Sequence, residues 1–286
     1  MIDSKGILRR AGLTPKKSFG QNFLVDGNVA EAIARACVPD DEVGRAAVIE
    51  LGAGAGALTS LLVPRAKSLV AVERDRDLVP LLGESFAGAI GSGTMRVLEA
   101  DAQGVDPTAL LADRPDGSKG VLCGNLPYQI TGRLLELAVH HAKGLDRAVF
   151  MVQDEVAERL AASPGSKTYG ALTVFVTAAF RVTKFRTVPP GCFYPPPDVT
   201  SAVVVLEAKR PPLADETETF RAVVRGAFAM RRKTLRNAWA GLGLPPAALA
   251  DAATAAGVSL DKRGETLSVT DFARMADAVD RTKRGA

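Results

Sequence analysis

Short apolar runs alternate with helical patterns over most of the chain. The runs that have the length and composition of buried strands occupy residues 48–51, 69–72, 95–98, 121–123, 148–152 and 202–206. Strands that alternate with helices are typical of a mostly parallel sheet with helices on both faces. The pattern therefore predicts an α/β fold for residues 26–208.

The pattern changes after residue 208. Residues 209–212 contain two adjacent prolines, which suit a linker better than a strand or a helix. Only helical patterns follow, and glycines and prolines between residues 241 and 246 divide them into short helices. We predict a basic N-terminal arm at 1–25, an α/β domain at 26–208 and a smaller all-helical domain at 213–286.

A glycine-rich turn follows the first predicted strand, where the sequence reads E-L-G-A-G-A-G-A-L-T. Gly52 and Gly54 allow a tight turn and a close approach of a ligand to the backbone at a helix N-terminus. The next strand ends on Glu73, about 20 residues further on, where a carboxylate can accept hydrogen bonds from ribose hydroxyls. Asp101 closes the third strand, and its carboxylate is placed to accept from an adenine amino group.

The glycine turn alone fits more than one ligand. Gly52, Gly54 and Ala57 satisfy the dinucleotide fingerprint in its G/A form, so an NAD oxidoreductase fits as well. The spelling E-x-G-x-G-x-G favours S-adenosylmethionine (SAM), whose amino-acid end carries no pyrophosphate. A structural turn that binds nothing is the third interpretation.

The fourth strand leads into Asn125, Leu126, Pro127 and Tyr128. The Asn125 side-chain oxygen and the Leu126 carbonyl can both accept hydrogen bonds from an exocyclic amino group, which directs the nitrogen lone pair outward. Pro127 stiffens the turn, and Tyr128 can stack on a base, a contact worth about 1–3 kcal/mol. The motif predicts a pocket for a flat, amino-bearing ring at the sheet edge that also holds the glycine turn.

The basic charge of the chain favours a polyanionic partner. The net charge is +4 and the pI is about 9.0. The N-terminal arm carries Lys5, Arg9, Arg10, Lys16 and Lys17. If one helix spans residues 221–239 in the C-terminal part, its basic residues form a stripe beside an apolar face. The basic residues are Arg221, Arg225, Arg232 and Arg236, and the apolar residues are Val224, Phe228, Leu235 and Trp239. A solvated helix face is the ordinary alternative, but beside a candidate pocket for a flat, amino-bearing ring the two patches favour RNA.

The remaining composition narrows the class of protein. Cys37, Cys123 and Cys192 are far apart and show no C-x-x-C spacing, which predicts reduced thiols in the cytoplasm and no metal site. No apolar run has the length of about 18 residues that a membrane span requires, and no signal peptide is evident. No nucleophile–histidine arrangement is apparent, so the chemistry is expected to come from a cofactor.

These motifs resemble the ribosomal RNA adenine N6-dimethyltransferases, the KsgA-type family that includes the Erm resistance methylases and the eukaryotic Dim-type enzymes. Besides the glycine turn and the Asn-Leu-Pro-Tyr motif, the matching blocks are residues 17–24, 150–157, 169–172, 189–204, 231–237 and 263–268. The resemblance covers nearly the full length. Ala53 departs from it, because the family usually has proline there.

The resemblance implies a Rossmann-like class I SAM methyltransferase that dimethylates N6 of two adjacent adenines near the 3′ end of small-subunit rRNA. It implies that SAM is held by Asn22, Leu24, Gly52, Glu73, Asp101 and Asn125, to which the turn adds Gly54. It implies that the adenine is held by Asn125, Leu126, Pro127, Tyr128 and Phe193, although Phe193 by itself reads as a core or loop aromatic. The candidate RNA-binding residues are Arg221, Arg225, Arg231, Arg232, Lys233 and Arg236.

We further expect a cytoplasmic monomer that acts on a pre-ribosomal particle, without a metal and away from membranes. Three other functions stay open at this point. An Erm-type enzyme would act on large-subunit rRNA, although the 231–237 block argues against it. An NAD oxidoreductase would use the glycine turn, and a non-catalytic assembly factor would use only the RNA-binding surface.

Overall fold

The computed structural model describes residues 2–285 and divides into two compact units. Unit 1 consists of residues 2–157 and Thr183–Ala208. Unit 2 consists of Glu158–Val182 and residues 209–285. The chain therefore enters unit 2 twice, and each unit is described separately below.

The strands within residues 2–285 are β1 (Phe23–Leu24), β2 (Ala46–Leu51), β3 (Ser68–Glu73), β4 (Met95–Glu99), β5 (Lys119–Asn125), β6 (Arg147–Gln153), β7 (Phe180–Val188), β8 (Phe193–Tyr194) and β9 (Ser201–Ala208). The α-helices of the same residues are α1 (Ser4–Arg10), α2 (Gly27–Cys37), α3 (Thr59–Leu62), α4 (Leu78–Ser85), α5 (Ala87–Gly91), α6 (Pro107–Leu110), α7 (Thr131–His140), α8 (Asp154–Leu160), α9 (Ala171–Ala179), α10 (Glu218–Ala229), α11 (Leu235–Ala238), α12 (Pro246–Ala256) and α13 (Val269–Gly285).

The main sheet has the strand order β4-β3-β2-β5-β6-β9-β7. Strands β2 to β6 pair in parallel, whereas β9 pairs antiparallel with β6. Every residue of β2 is buried, as expected for a central parallel strand that is covered on both faces. The predicted mostly parallel α/β sheet is confirmed.

The strand order reverses direction between β2 and β5. The chain runs outward from β2 through β3 to β4 and then returns to place β5 on the other side of β2. In open α/β sheets, ligands bind beyond the carboxyl ends of the strands at such a switch point. The glycine turn follows β2 and the Asn125 segment follows β5, so both motifs lie at that point.

A two-stranded ribbon adds a second sheet to unit 1. Strand β1 pairs antiparallel with β8, so that Phe23 faces Tyr194 and Leu24 faces Phe193. Asp26 caps the N-terminus of α2, which follows β1 closely: its carboxylate accepts hydrogen bonds from the backbone N–H groups of Asn28 and Val29, both at 2.9 Å. The buried face of α2 belongs to the core of unit 1, which fixes the end of the N-terminal arm.

In unit 2, α9 packs against α10 and α13. The rings of Phe175 and Phe220 lie 6.1 Å apart, and the Tyr169 hydroxyl donates to the carbonyl of Leu267 at 2.9 Å. Trp239 is 1% exposed, and its Nε1 donates to the carbonyl of Val223 at 2.8 Å. These contacts give unit 2 a core of its own.

The division of the chain differs from the boundaries expected from the sequence. The segment Glu158–Val182 groups with unit 2, although the alternation of elements placed it in the α/β domain. Its apolar side chains, such as Tyr169 and Phe175, enter the core of unit 2. Alternation alone shows that a helix is buried but does not show which core it enters.

The condition for a continuous basic stripe, one helix from Arg221 to Arg236, is not met. Helix α10 ends at Ala229, a turn follows, and α11 begins at Leu235. The N–H groups of Leu235 and Arg236 donate to the carbonyls of Lys262 and Leu260, at 2.8 and 2.9 Å, rather than to a preceding helical turn. Tertiary hydrogen bonds therefore break the helix and interrupt the stripe.

Among the helices described, none is long and apolar enough to cross a membrane.

Candidate active-site cleft

A cleft in unit 1 lies beyond the carboxyl ends of β2, β3 and β5. The glycine turn forms its floor, Glu73 and Asp101 follow neighbouring strands, and the segment Asn125 to Tyr128 forms the opposite side. Residues 19–24 of the N-terminal arm complete the wall. The structure therefore brings together the residues that the sequence assigned to one sheet edge, apart from Phe193.

Gly52 and Gly54 keep the floor of the cleft free of side chains. Both have positive φ, +73° and +59°, which favours glycine. A Cβ atom on Gly54 would lie 3.2 Å from the ring of Phe23, and one on Gly52 would lie 3.9 Å from the carbonyl oxygen of Asn125. The turn therefore leaves the backbone accessible between the two strands at the switch point.

Glu73 is a buried carboxylate at this floor, 5% exposed. Its Oε2 accepts from the N–H of Gly54 at 2.7 Å, and its Oε1 accepts from the N–H of Asp75 at 2.8 Å. Burial raises the pKa of Glu73, and the hydrogen bonds from these N–H groups act in the opposite direction. The backbone N–H of Arg74 bonds the carboxylate as well, so the side chain is held in place. A carboxylate has about four acceptor sites, which leaves one for a ligand hydroxyl.

Glu50 also lines the cleft, and the sequence did not identify it as a site residue. Its Oε2 accepts from the hydroxyl of Thr59 at 2.7 Å in a buried environment. Burial raises the pKa of Glu50 to about 8; the hydrogen bond from Thr59 lowers it, and the nearby charge of Glu73 raises it further. A glutamate inside an otherwise apolar buried strand was the available signal.

The amide of Asn125 is held in one orientation. Its Nδ2 donates to the backbone carbonyl of Asn22 at 2.7 Å. Within residues 2–285, no group donates to Asn125 Oδ1, and no N–H donates to the carbonyl of Leu126. The two acceptors that the sequence predicted for an amino group are thus both available.

The rest of this segment fixes the loop. The Leu126 N–H donates to the carbonyl of Met151 at 3.1 Å, and Pro127 has φ −56°. The Tyr128 hydroxyl lies 2.6 Å from the hydroxyl oxygen of Ser201. Burial raises the pKa of Tyr128, which keeps the phenol neutral. Its half-buried ring is the aromatic surface that this loop presents to the cleft.

Asp101 lies at a more open part of the cleft. Its carboxylate accepts from the N–H of Gln103 at 3.0 Å and lies 3.5 Å from the guanidinium of Arg74. The side chain is 43% exposed. It therefore caps the turn that follows β4 and still offers an acceptor to a ligand.

The family model described as "Ribosomal RNA adenine dimethylase" matches residues 12–281. The chain belongs to the ribosomal RNA adenine dimethylase family. As a member, it is a SAM-dependent methyltransferase that acts on rRNA, and the NAD oxidoreductase is excluded. The predicted KsgA-type resemblance is confirmed.

Relatives support this membership over almost the whole chain. "Ribosomal RNA small subunit methyltransferase A" of Pelotomaculum thermopropionicum is 42% identical over 95% of this chain and 94% of its own length. The protein of the same name in Anaeromyxobacter dehalogenans is 42% identical over 96% of this chain and 97% of its own length.

Solved structures show the same fold. A dimethyladenosine transferase from Plasmodium falciparum superposes with a TM-score of 0.76 at 24% identity, over 91% of this chain and 98% of that chain. The 23S rRNA methyltransferase ErmE superposes with a TM-score of 0.63 at 24% identity, over 91% and 100%. The predicted class I SAM methyltransferase fold is confirmed.

The residues of the dimethylase cleft fit the SAM class of cofactor. Glu73 and Asp101 supply carboxylate acceptors at the ends of neighbouring strands, and the glycine floor carries no side chain that would fill the space. Leu24 is 5% exposed and lies at the cleft wall beside Asn22. Within residues 2–285, no group of His, Cys, Asp or Glu is arranged to hold a metal ion.

Phe193 lies outside the cleft in this structure. Its side chain is 3% exposed, faces Leu24 across the β1–β8 ribbon, and belongs to the core of unit 1. Phe193 is therefore not among the residues that line the cleft in this structure, and its role as a stacking wall stays a prediction. Its ring lies in the core, where burial of apolar surface contributes about 25 cal/mol per Å².

The candidate RNA-binding residues of the dimethylase lie in unit 2, and their environments differ. Arg221 pairs with Glu216, and the guanidinium of Arg225 lies 6.0 Å from the ring centre of Phe175. Arg231 donates to the carbonyl of Lys167 at 2.9 Å.

The other three candidates are exposed, as Arg225 and Arg231 also are, but they differ in their partners. Arg236 lies 3.3 Å from Asp261, and both side chains are more than half exposed. Arg232 and Lys233 are exposed, and no partner for either is found in the described part of the chain. Arg232, Lys233 and Arg236 are therefore best placed to contact a polyanion.

Proposed function

We propose that this dimethylase transfers methyl groups from SAM to N6 of two adjacent adenines near the 3′ end of small-subunit rRNA. The relatives named ribosomal RNA small subunit methyltransferase A support this choice of substrate. The observation that carries the chemistry is the amide of Asn125, anchored through Nδ2 while Oδ1 and the Leu126 carbonyl keep free lone pairs.

SAM supplies an electrophilic methyl group when it is bound. Glu73 would accept hydrogen bonds from its ribose, Asp101 would accept from its adenine amino group, and Gly52 and Gly54 would lie beneath it. Asn22 and Leu24 would contribute the wall from the arm. Each of these residues lines the cleft in unit 1.

The segment Asn125 to Tyr128 would hold the acceptor base. An exocyclic amine is a poor nucleophile because its lone pair delocalises into the ring. Two hydrogen bonds, to Asn125 Oδ1 and to the Leu126 carbonyl, would favour a pyramidal nitrogen and align its lone pair, which is a positioning effect. A dedicated base is not required, because the amine proton becomes acidic once the nitrogen is alkylated.

An adenine must leave its stack to reach this loop. The ring of Tyr128 would offset part of that cost by stacking, about 1–3 kcal/mol. Phe193 would form a second wall only after its ring leaves the core; in this structure it pairs with Leu24 in the β1–β8 ribbon.

We place the reaction in the cytoplasm, on a pre-ribosomal particle and with a monomeric enzyme; the three buried free thiols suit a reducing compartment.

The test uses purified protein, labelled SAM, small-subunit particles and large-subunit rRNA. We expect label in dimethyladenosine of the small-subunit RNA. Label in the large-subunit RNA would favour an Erm-type enzyme, and binding to particles without transfer would favour an assembly factor.

Asn125→Ala tests the mechanism in the same assay. We expect methyl transfer to be lost while particle binding is retained, because the amide orients N6 and contributes little RNA contact area. Gln129→Ala, an exposed neighbour in the same loop, is the matched control and should retain turnover. Near-normal turnover of Asn125→Ala would contradict the role assigned to this amide.

A further inference from the structure

None of residues 16–22, called here the cleft arm, is buried, and residues 19–22 of the arm form one wall of the cleft. The segment consists of a single 3-10 turn, Lys17–Phe19, which ends at Gly20 with φ +63°. Such a short turn gains little stability from its own hydrogen bonds. Contacts outside the arm must therefore hold it in place.

The anchor of the cleft arm is Asp75, which is 2% exposed. Its carboxylate accepts from the Lys16 ammonium, from Gln21 Nε2 at 2.7 Å and from the backbone N–H of Asp77 at 3.1 Å. Burial alone would raise the pKa of Asp75, but the hydrogen bonds from Lys16 and Gln21 hold it below its ordinary value. The group is thus a charged, buried acceptor with both ends of the arm bound to it.

Three further contacts hold the arm, two of them within it and one to Arg74. The side-chain oxygen of Gln21 accepts from the N–H of Lys16 at 2.8 Å, which links the two residues that bind Asp75. Two cations lie over the ring of Phe19, Arg74 at 4.4 Å and Lys16 at 5.5 Å from its centre. The arm is therefore held by polar and cation–π contacts rather than by apolar burial.

This network touches both halves of the cleft. At one end, the N–H of Asp75 donates to Glu73 at 2.8 Å. At the other end, the carbonyl of Asn22, next to Gln21, accepts from Asn125 Nδ2 at 2.7 Å. Asp75 therefore connects the candidate ribose acceptor with the amide that faces the candidate base site.

We propose that Asp75 is a positioning residue: it holds the cleft arm through Lys16 and Gln21, so that the Asn22 carbonyl fixes the amide of Asn125. The proposal rests on the function proposed above for Asn125. Without the anchor, the Asn22 carbonyl moves with the arm, and the Asn125 amide can rotate and present its NH2 group in place of Oδ1. A donor in that position opposes binding of an amino group.

Two variants weaken the anchor to different degrees. Asp75→Asn removes the negative charge of the anchor. Gln21→Ala removes only one hydrogen-bond donor to Asp75, and because Gln21 is half-buried, this change leaves the core intact. Asp106→Asn is the matched control, because its carboxylate also accepts from backbone N–H groups at a turn but lies away from the arm. Lys16→Met should reproduce the defect of Gln21→Ala, and Lys16→Arg should retain the wild-type behaviour.

The first readout is hydrogen exchange of the full-length protein without ligand. We expect the amides of residues 16–22 to exchange on the order of tenfold faster in Asp75→Asn and Gln21→Ala, and at the wild-type rate in Asp106→Asn. Unchanged exchange in both anchor variants would overturn the proposal, whatever the activity of the protein.

The second readout is steady-state methyl transfer. We expect kcat to fall by about 10- to 100-fold in the anchor variants, the size of a misplacement of a reacting group, with little change in KM for the RNA. Faster exchange with a normal kcat would also overturn the proposal. If the wild type transfers no methyl group, the proposed function has failed, and the exchange data still decide whether Asp75 holds the arm.

Discussion

Glu50 and Glu73 place two buried carboxyl groups on the floor of one cleft. The two groups differ in their donors: Glu73 receives backbone N–H groups of several residues, including Gly54 and Asp75, whereas Glu50 receives the hydroxyl and the N–H of Thr59. A neutral Glu50 avoids the cost of a second buried charge beside Glu73. A neutral Glu50 therefore leaves Glu73 without a like charge beside it.

Glu50→Gln tests this assignment through the pH dependence of stability. Folding raises the pKa of Glu50 from its ordinary value of 4.5 to about 8, so its favourable contribution is fully present below pH 4.5. Between pH 4.5 and pH 8 the unfolded chain has released this proton, whereas the folded chain keeps it. The free energy of unfolding therefore falls by about 1.4 kcal/mol for each pH unit in this range.

Glutamine resembles the neutral form of Glu50 and should not show this loss. We expect the melting temperature of the wild type to fall relative to that of Glu50→Gln between pH 5 and pH 8, as measured by calorimetry. The comparison cancels the groups that titrate alike in both proteins. Parallel curves for the two proteins would show that Glu50 is ionised in the folded state.

At the scale of elements, the break between α10 and α11 changes the candidate RNA surface. Arg221 and Arg225 lie on α10, with an acidic and an aromatic partner, whereas Arg232 lies in the turn and Arg236 lies on α11. Arg232 and Arg236 therefore do not continue the row of Arg221 and Arg225, as they would on one continuous helix. We expect the turn and α11, rather than α10, to contact phosphates.

The double variant Arg232→Gln, Arg236→Gln tests this surface. Each phosphate contact that is lost should flatten the slope of log K against log salt by about 0.7–0.9, so the double variant should lose about twice that amount. SAM affinity should be unchanged. A titration of particle binding at several salt concentrations measures the slope.

The matched control is Arg281→Gln, Lys283→Gln, which removes two exposed charges near the end of α13. Its slope should stay at the wild-type value. An unchanged slope in the arginine variant, together with reduced thermal stability, would mean that these arginines serve only the structure of unit 2.

The sequence predicted those elements whose pattern is set locally. The strands that end at Leu51, Glu73 and Asn125 are apolar runs, and parallel pairing brings their ends to one edge. The break at residue 230 was not predictable, because it depends on hydrogen bonds to Leu260 and Lys262. The role of Asp75 was equally hidden, since its partners in the arm are distant in sequence and an aspartate after a strand resembles an ordinary surface residue.

At the scale of the whole molecule, the main consequence is that unit 2 is assembled from two pieces of chain. The inner piece supplies Tyr169 and Phe175, and the C-terminal piece supplies their partners Phe220 and Leu267. Removal of the C-terminal piece would leave the inner piece without its core.

A chain truncated after Ala208 tests this division. We expect it to aggregate, because the apolar surface of Tyr169, Phe175 and Val176 would be exposed to water. A chain that ends at Arg281, which removes only the end of α13, is the control and should stay monodisperse. Size-exclusion chromatography and calorimetric SAM binding provide the readouts, and a monodisperse, SAM-binding 1–208 fragment would contradict the expectation.

Trp239 is the single tryptophan of the chain, and it is buried in unit 2. Its fluorescence emission therefore reports the packing of unit 2, whereas far-ultraviolet circular dichroism reports the helices and strands of both units. Superimposable melting curves from the two signals would indicate one cooperative transition, and displaced curves would indicate separate ones. A chromophore that the chain already contains thus distinguishes the melting of its two units without an added label.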